Sequence, residues 1–182
     1  MGELATIDPR QCWATPQAFI HFVVGQFGPL HLDACATKQN TKAPLYFAPP
    51  DALPDCVADR NCIGIDGLAQ PWAINNIGTY TRVWCNPGFS DVEPWLTKAY
   101  QEANGGTVET LVLTHALHST KWFAKFIRCA HRVYAVRPRI NFVMPDGIKA
   151  SSNPRDSFLW HFKPYPQSSA AIYVMRSWKG GE

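Results

Sequence analysis

Asn86, Pro87, Gly88 and Phe89 carry the clearest candidate chemistry in this chain, directly after the apolar run Arg82-Val83-Trp84-Cys85. The exocyclic amino group of adenine or cytosine is a poor nucleophile, because its lone pair is delocalised into the ring. An Asn side-chain carbonyl can accept one of its protons. A backbone carbonyl held rigid by proline can accept the other, and an aromatic ring can stack on the base. Together these contacts draw the nitrogen toward tetrahedral geometry and aim its lone pair at a methyl donor. The competing reading is a plain turn, since Pro and Gly suit adjacent turn positions.

Such a device needs elements to hold it. Thr15-Pro16 reads as a helix start, with Thr15 as N-cap and Pro16 at the first helical position. Phe19, Phe22, Val23 and Phe27 follow at helical spacing, and Gly28-Pro29 stops the helix. A short strand, Leu30-His31-Leu32, runs into Asp33-Ala34-Cys35-Ala36. Residues 38–64 read as irregular and Pro-rich. The next strand ends at Cys85, and a helix follows from about Val92 to Asn104. Thr110–Thr114 is a further strand, and Ser119 looks like the cap of a helix bearing Trp122, Phe123, Phe126 and Ile127. Arg132–Val136, Ile140–Met144, Ser157–Phe162 and Ala170–Met175 are candidate strands. Strand–helix alternation predicts an α/β fold with a mainly parallel sheet and antiparallel edge strands. In such a sheet ligands bind where strands end in loops. Asp33 and Asn86 both stand at such ends, which argues for one shared site.

Composition narrows the class. At 182 residues a single domain is expected, and 46% hydrophobic against 17% charged residues indicates a globular chain. No apolar run is long enough to span a bilayer, and Met1-Gly2-Glu3-Leu4 does not open a secretory signal. The six cysteines are scattered, a pattern that suits reduced thiols in a cytosolic protein. Cys56 and Cys62 are spaced too widely for a zinc knuckle, so no metal site is expected. The net charge of +3 is compatible with nucleic acid. Residues 119–139 carry Lys121, Lys125, Arg128, Arg132, Arg137 and Arg139 with no acid among them, which predicts a basic face. No Gly-x-Gly-x-x-Gly follows the first strand, against a dinucleotide oxidoreductase. No cysteine follows a proline, against a cysteine nucleophile for C5 of cytosine.

Taken in order, the short motifs resemble the small phage-type DNA N6-adenine methyltransferases, the Dam-like family. They are Trp13-Ala14-Thr15-Pro16-Gln17, Leu32-Asp33-Ala34-Cys35-Ala36, Asn40-Thr41-Lys42 with Tyr46-Phe47, and Asp66-Gly67-Leu68 with Trp72. Val83-Trp84-Cys85-Asn86-Pro87 with Trp95, Thr120-Lys121-Trp122-Phe123, Arg139-Ile140-Asn141-Phe142 and Asn153-Pro154 complete the series. The resemblance implies one Rossmann-like domain over residues 1–182 that depends on S-adenosylmethionine and methylates adenine N6 in double-stranded DNA. It further implies phage or prophage origin and hence the cytoplasm of a bacterial host, and a monomer is the default expectation. Thr15 and Pro16 would contact the methionine end of the donor. Asp33, with Ala34 beside it, would lie near the donor's amino group or sulfonium, and Asp66 would accept from its adenine. Asn86 and Pro87 would accept from the target amino group, with Phe89 stacked on the base. Arg139 and Lys121 would serve DNA, and Phe142 would be a second wall of the base pocket. The family usually has a second proline where this chain has Gly88. Cytosine N4 or a protein amide as acceptor, and a degenerate member that binds DNA or the donor without catalysis, are the alternatives.

Overall fold

The computed structural model describes residues 13–74, 80–88, 91–144, 155–164 and 171–179. In chain order the elements are α1 (Gln17–Phe27), β1 (Leu32–Asp33), β2 (Leu45–Ala48), α2 (Leu53–Ala58), β3 (Cys62–Ile65) and β4 (Thr81–Cys85). They continue with α3 (Glu93–Asn104), β5 (Val108–His115), α4 (Lys121–Phe126), β6 (Arg132–Ala135), β7 (Ser157–Phe162) and β8 (Ile172–Val174). The strands form one sheet in the order β3-β2-β1-β4-β5-β7-β6-β8. Pairing is parallel throughout except at β7, which runs antiparallel to β5 and β6.

Strand alternation divides the core between two faces. Val83, Cys85, Val108 and Val112 meet Leu96, Ala99 and Ala103 of α3 and Phe126 of α4. Trp84, Leu111 and Leu113 face the other way, onto Phe19, Ile20 and Val23 of α1. Every residue of β7 is buried, as expected for a strand between two neighbours and under helices. Among the described residues no helix is long and apolar enough to cross a membrane.

The largest departure from expectation is the stretch 38–64, which holds β2, α2 and β3 rather than irregular chain. β2 is only four residues, between Pro44 and Pro49, and its strand character comes from pairing Leu45 with Leu32 and Tyr46 with Asp33. The turn from α2 to β3 brings Cys56 and Cys62 to a Cα separation of 5.1 Å, and they form a disulfide. The expectation of reduced thiols is therefore wrong for this pair, while Cys35, Cys85 and Cys129 are free. Ile140–Met144 forms no strand. A single bridge joins Val143 to Ala14 instead. The N-cap of α4 is Thr120, one residue past the expected Ser119, and its side chain accepts from the Phe123 N–H at 3.3 Å.

Candidate active site

Strands β1, β2 and β3 step to one side of the sheet and β4, β5 to the other, so the order reverses between β1 and β4. A cleft of about 260 Å³ lies there, at the carboxyl ends of the strands. α1 leads into β1, which returns its N-terminus to the same edge and brings Thr15 into the cleft. The backbone of Ala14 exchanges hydrogen bonds of 2.8 and 2.9 Å with Val143 and fixes that segment.

Asp33 ends β1 and is 3% exposed. Its Oδ2 accepts the Lys42 N–H at 2.9 Å and its Oδ1 the Cys35 N–H at 3.4 Å. Burial pushes its carboxyl up to about 7, against the pull of those two hydrogen bonds and the Lys42 charge. Asn86 follows β4, with Pro87 buried behind it. Asn86 Oδ1 is sealed from solvent and has no hydrogen-bond partner among the described residues. Thr15 Oγ1 is in the same condition. The expected cap therefore does not form: Pro16 occupies the N-cap position of α1, with no side-chain hydrogen bond there. An unpaired buried polar atom costs about 1–3 kcal/mol. Thr110 Oγ1, Ser157 Oγ and His161 Nδ1 share that condition elsewhere among the described residues, but only Asn86 and Thr15 of this group line the cleft.

The far wall is built from the turn after β3. Asp66 there has φ 56°, and its Oδ1 accepts the Leu68 N–H at 3.2 Å. Gly67 packs against the loop after β1 so closely that a Cβ would lie 2.0 Å from the Ala34 carbonyl oxygen. Only glycine permits that approach. Trp72 Nε1 donates to the Gly67 oxygen at 2.7 Å, and Trp95 stacks on Trp72 at 6.5 Å while lining the cleft. Half-buried Lys42 also lines it. Burial lowers its pKa, partly offset by Asp33.

One cleft thus gathers Thr15, Asp33, Ala34, Asp66, Asn86 and Gly88. Pro16 and Pro87 adjoin it in sequence, and Phe89 lies outside the described residues. Phe142 is not a pocket wall. It is 1% exposed and packs in the core against α1. Lys121 and Arg139 are exposed and do not line the cleft, and Arg139 pairs with Asp156 at 2.5 Å. Lys42, Trp95 and Trp13 line it without having been assigned a role from sequence. Lys42 sits in a motif of the family series, but only the fold-back of residues 38–44 shows where it goes. His115 is held to about 4 by burial and then by the charge of Arg155. Among the described residues no group of three or more His, Cys, Asp or Glu is placed to hold a metal.

A doubly wound sheet with its cleft at the reversal point defines the Rossmann-like class of α/β proteins. Residues 5–179 match the family model described as DNA N-6-adenine-methyltransferase (Dam), and the chain belongs to that family. It is 23% identical over 177 residues to the DNA N-6-adenine-methyltransferase of Escherichia phage T1, covering 95% of this chain and 66% of that relative. The chain thus spans just under two thirds of that relative's length. Among solved structures, a protein of Pyrococcus horikoshii provisionally described as an RNA methyltransferase aligns with a TM-score of 0.48 and 11% identity, over 90% of this chain and 92% of that one. A Listeria monocytogenes protein, provisionally described as a class I S-adenosylmethionine-dependent methyltransferase, aligns with a TM-score of 0.48 and 14% identity, over 98% and 70%.

Proposed function

We propose that the chain transfers a methyl group from S-adenosylmethionine to the exocyclic N6 of adenine in double-stranded DNA. The observation that carries this reading is Asn86, which lines the cleft of a family member with its buried Oδ1 unpartnered among the described residues. The bound donor supplies an electrophilic methyl on a positively charged sulfur. The residues present fit it. Thr15 and the first turn of α1 suit a carboxylate, Asp33 suits an ammonium or sulfonium, and Asp66 suits an adenine amino group. At the acceptor, Asn86 Oδ1 takes one hydrogen bond from the target amino group. Pro87 restricts the turn that presents the second acceptor, and Phe89 stacks on the base. The base must leave the duplex to reach them, at a cost of a few kcal/mol. The displaced proton passes to solvent, so no basic side chain is needed.

Topology also divides the basic stretch. β6 runs parallel to β5, through the antiparallel β7, so residues after β6 lie at the cleft edge of the sheet. Lys121, Arg137 and Arg139 belong to that edge, whereas Arg132 opens β6 at the other end. Lys121 and Arg139 are the proposed phosphate contacts, which position DNA without reading sequence.

The test is incubation with methyl-labelled S-adenosylmethionine and unmethylated duplex DNA, then digestion to nucleosides. Label in N6-methyldeoxyadenosine that is lost in Asn86→Ala is the expected result. Label in N4-methyldeoxycytidine would keep the chemistry and change the acceptor. Donor binding with no transfer would identify a binding protein.

A further inference from the structure

We infer that Lys42 reads the carboxylate of the methyl donor and makes the cleft selective for a ligand with a complete amino-acid end. The inference rests on S-adenosylmethionine being the donor. Three residues of different character line the cleft: Asp33 with a carboxyl, Lys42 with an ammonium and Thr15 with a hydroxyl. Lys42 is tethered to the acid by its own backbone, whose N–H donates to Asp33 Oδ2 at 2.9 Å. Its side chain is half-buried, yet its ammonium holds no ion pair among the described residues. Lys98, also half-buried, does pair, at 2.6 Å from Glu102. Thr15, in the lining of the same cleft, has its Oγ1 buried with no partner among the described residues.

Asp33 and Lys42 feel each other's charge but stand outside ion-pair reach, so each is only partly compensated while burial penalises the charged form of both. A neutral ligand would leave that shortfall on both. An anionic ligand would serve Lys42 and repel Asp33, and a cationic one the reverse. A zwitterion satisfies both at once: its carboxylate accepts from Lys42 and Thr15, and its ammonium donates to Asp33. The free α-amino acid end of the donor has that character. Selectivity comes from the penalty on ligands that lack one charge.

The test is calorimetric titration of the intact protein with S-adenosylhomocysteine, which keeps the amino-acid end, and with 5′-methylthioadenosine, which lacks it. Wild type should bind the first at least roughly tenfold more tightly. Lys42→Met keeps the length of the stem without the charge. It should weaken S-adenosylhomocysteine by about tenfold or more and leave 5′-methylthioadenosine unchanged. Lys42→Arg should recover part of the loss. Unchanged S-adenosylhomocysteine affinity in Lys42→Met would overturn the inference, as would equal losses on both ligands, since those report a damaged cleft. Failure of the donor reading looks different: wild type itself would bind neither ligand.

Discussion

The two ends of β4 and β5 bury polar groups in opposite condition. At the starting end, Glu109 is 4% exposed and accepts from Arg82 at 2.6 and 2.8 Å and from His161 Nε2 at 2.7 Å. Lys163 stands 3.8 Å away, and the Arg82 N–H donates to His31 Nδ1 at 2.9 Å. Of this cluster only His161 Nδ1 lacks a partner among the described residues. At the finishing end, Asn86 Oδ1 and Thr15 Oγ1 are unpartnered and Asp33 has no counter-ion within salt-bridge reach among the described residues. Both ends incur desolvation. One recovers most of it within the chain, while the other recovers part of it through the Lys42 and Cys35 N–H groups on Asp33 and leaves Asn86 Oδ1 and Thr15 Oγ1 unpaired. Burial alone therefore does not separate structural from functional polar groups. Missing partners point to a ligand only where the residue also lines the cleft, since Thr110 Oγ1 and Ser157 Oγ are likewise buried and unpartnered among the described residues but lie outside it.

The comparison can be broken by removing one group from each end. Glu109→Ala removes a buried carboxylate from Arg82, whose side chain is 15% exposed, and from buried His161, and should cost about 3–5 kcal/mol of stability. In a chain of this size that lowers Tm by roughly 10 °C. At a temperature where the variant is folded, S-adenosylhomocysteine affinity should stay within about twofold of wild type. Intact stability, or lost binding, would mean that the two ends are not separate. Asn86→Ala is the counterpart. It should lower the methyl-transfer kcat by roughly 10²–10³ and leave stability within about 1 kcal/mol of wild type. A Tm drop like that of Glu109→Ala would make Asn86 a structural residue.

The shared placement of Asp33 and Asn86 in one cleft was legible because each ends an apolar run that reads locally as a strand, and strand ends are where α/β sheets bind ligands. What decides Lys42 is not local. β2 exists because β1 and β3 pair with it, and Lys42 reaches the cleft only through that fold-back. The Cys56–Cys62 pairing was hidden for the same reason, since two short elements create the approach. Phe142 was misplaced because an aromatic residue next to an arginine motif looks alike in a core and in a pocket wall. Packing against α1 settles it. Thr15 turned on one residue of helix register: as N-cap its hydroxyl would be spent on the backbone, and one position earlier it has no partner among the described residues.

The remaining contrast is in the sign of the pH dependence. His161 is lowered mainly by burial. Burial opposes the shift at Glu109, yet the His161 hydrogen bond and the Arg82 guanidinium hold it below the usual carboxylate range. Folded pKa values below the unfolded ones mean that their stability is present near neutrality and lost as pH falls through them. Asp33 is the reverse. Its carboxyl is raised from 3.8 to about 7, so its contribution is full below 3.8, declines as pH rises to about 7, and is flat above. Asp33→Asn removes that decline. It should stabilise the unliganded protein by on the order of 1–2 kcal/mol at pH 7.5, after a weakened hydrogen bond to the backbone is allowed for. The gain should shrink toward pH 4. The same variant should bind S-adenosylhomocysteine weakly, because the ligand ammonium loses its anion. In wild type that affinity should rise toward pH 7, by at most about tenfold per unit, and then level off. Chemical denaturation across pH, with and without the ligand, measures all of this. If Asp33→Asn is less stable at every pH, Asp33 serves chiefly to anchor the Lys42 backbone, and the finishing end of the strands is as structural as the starting one.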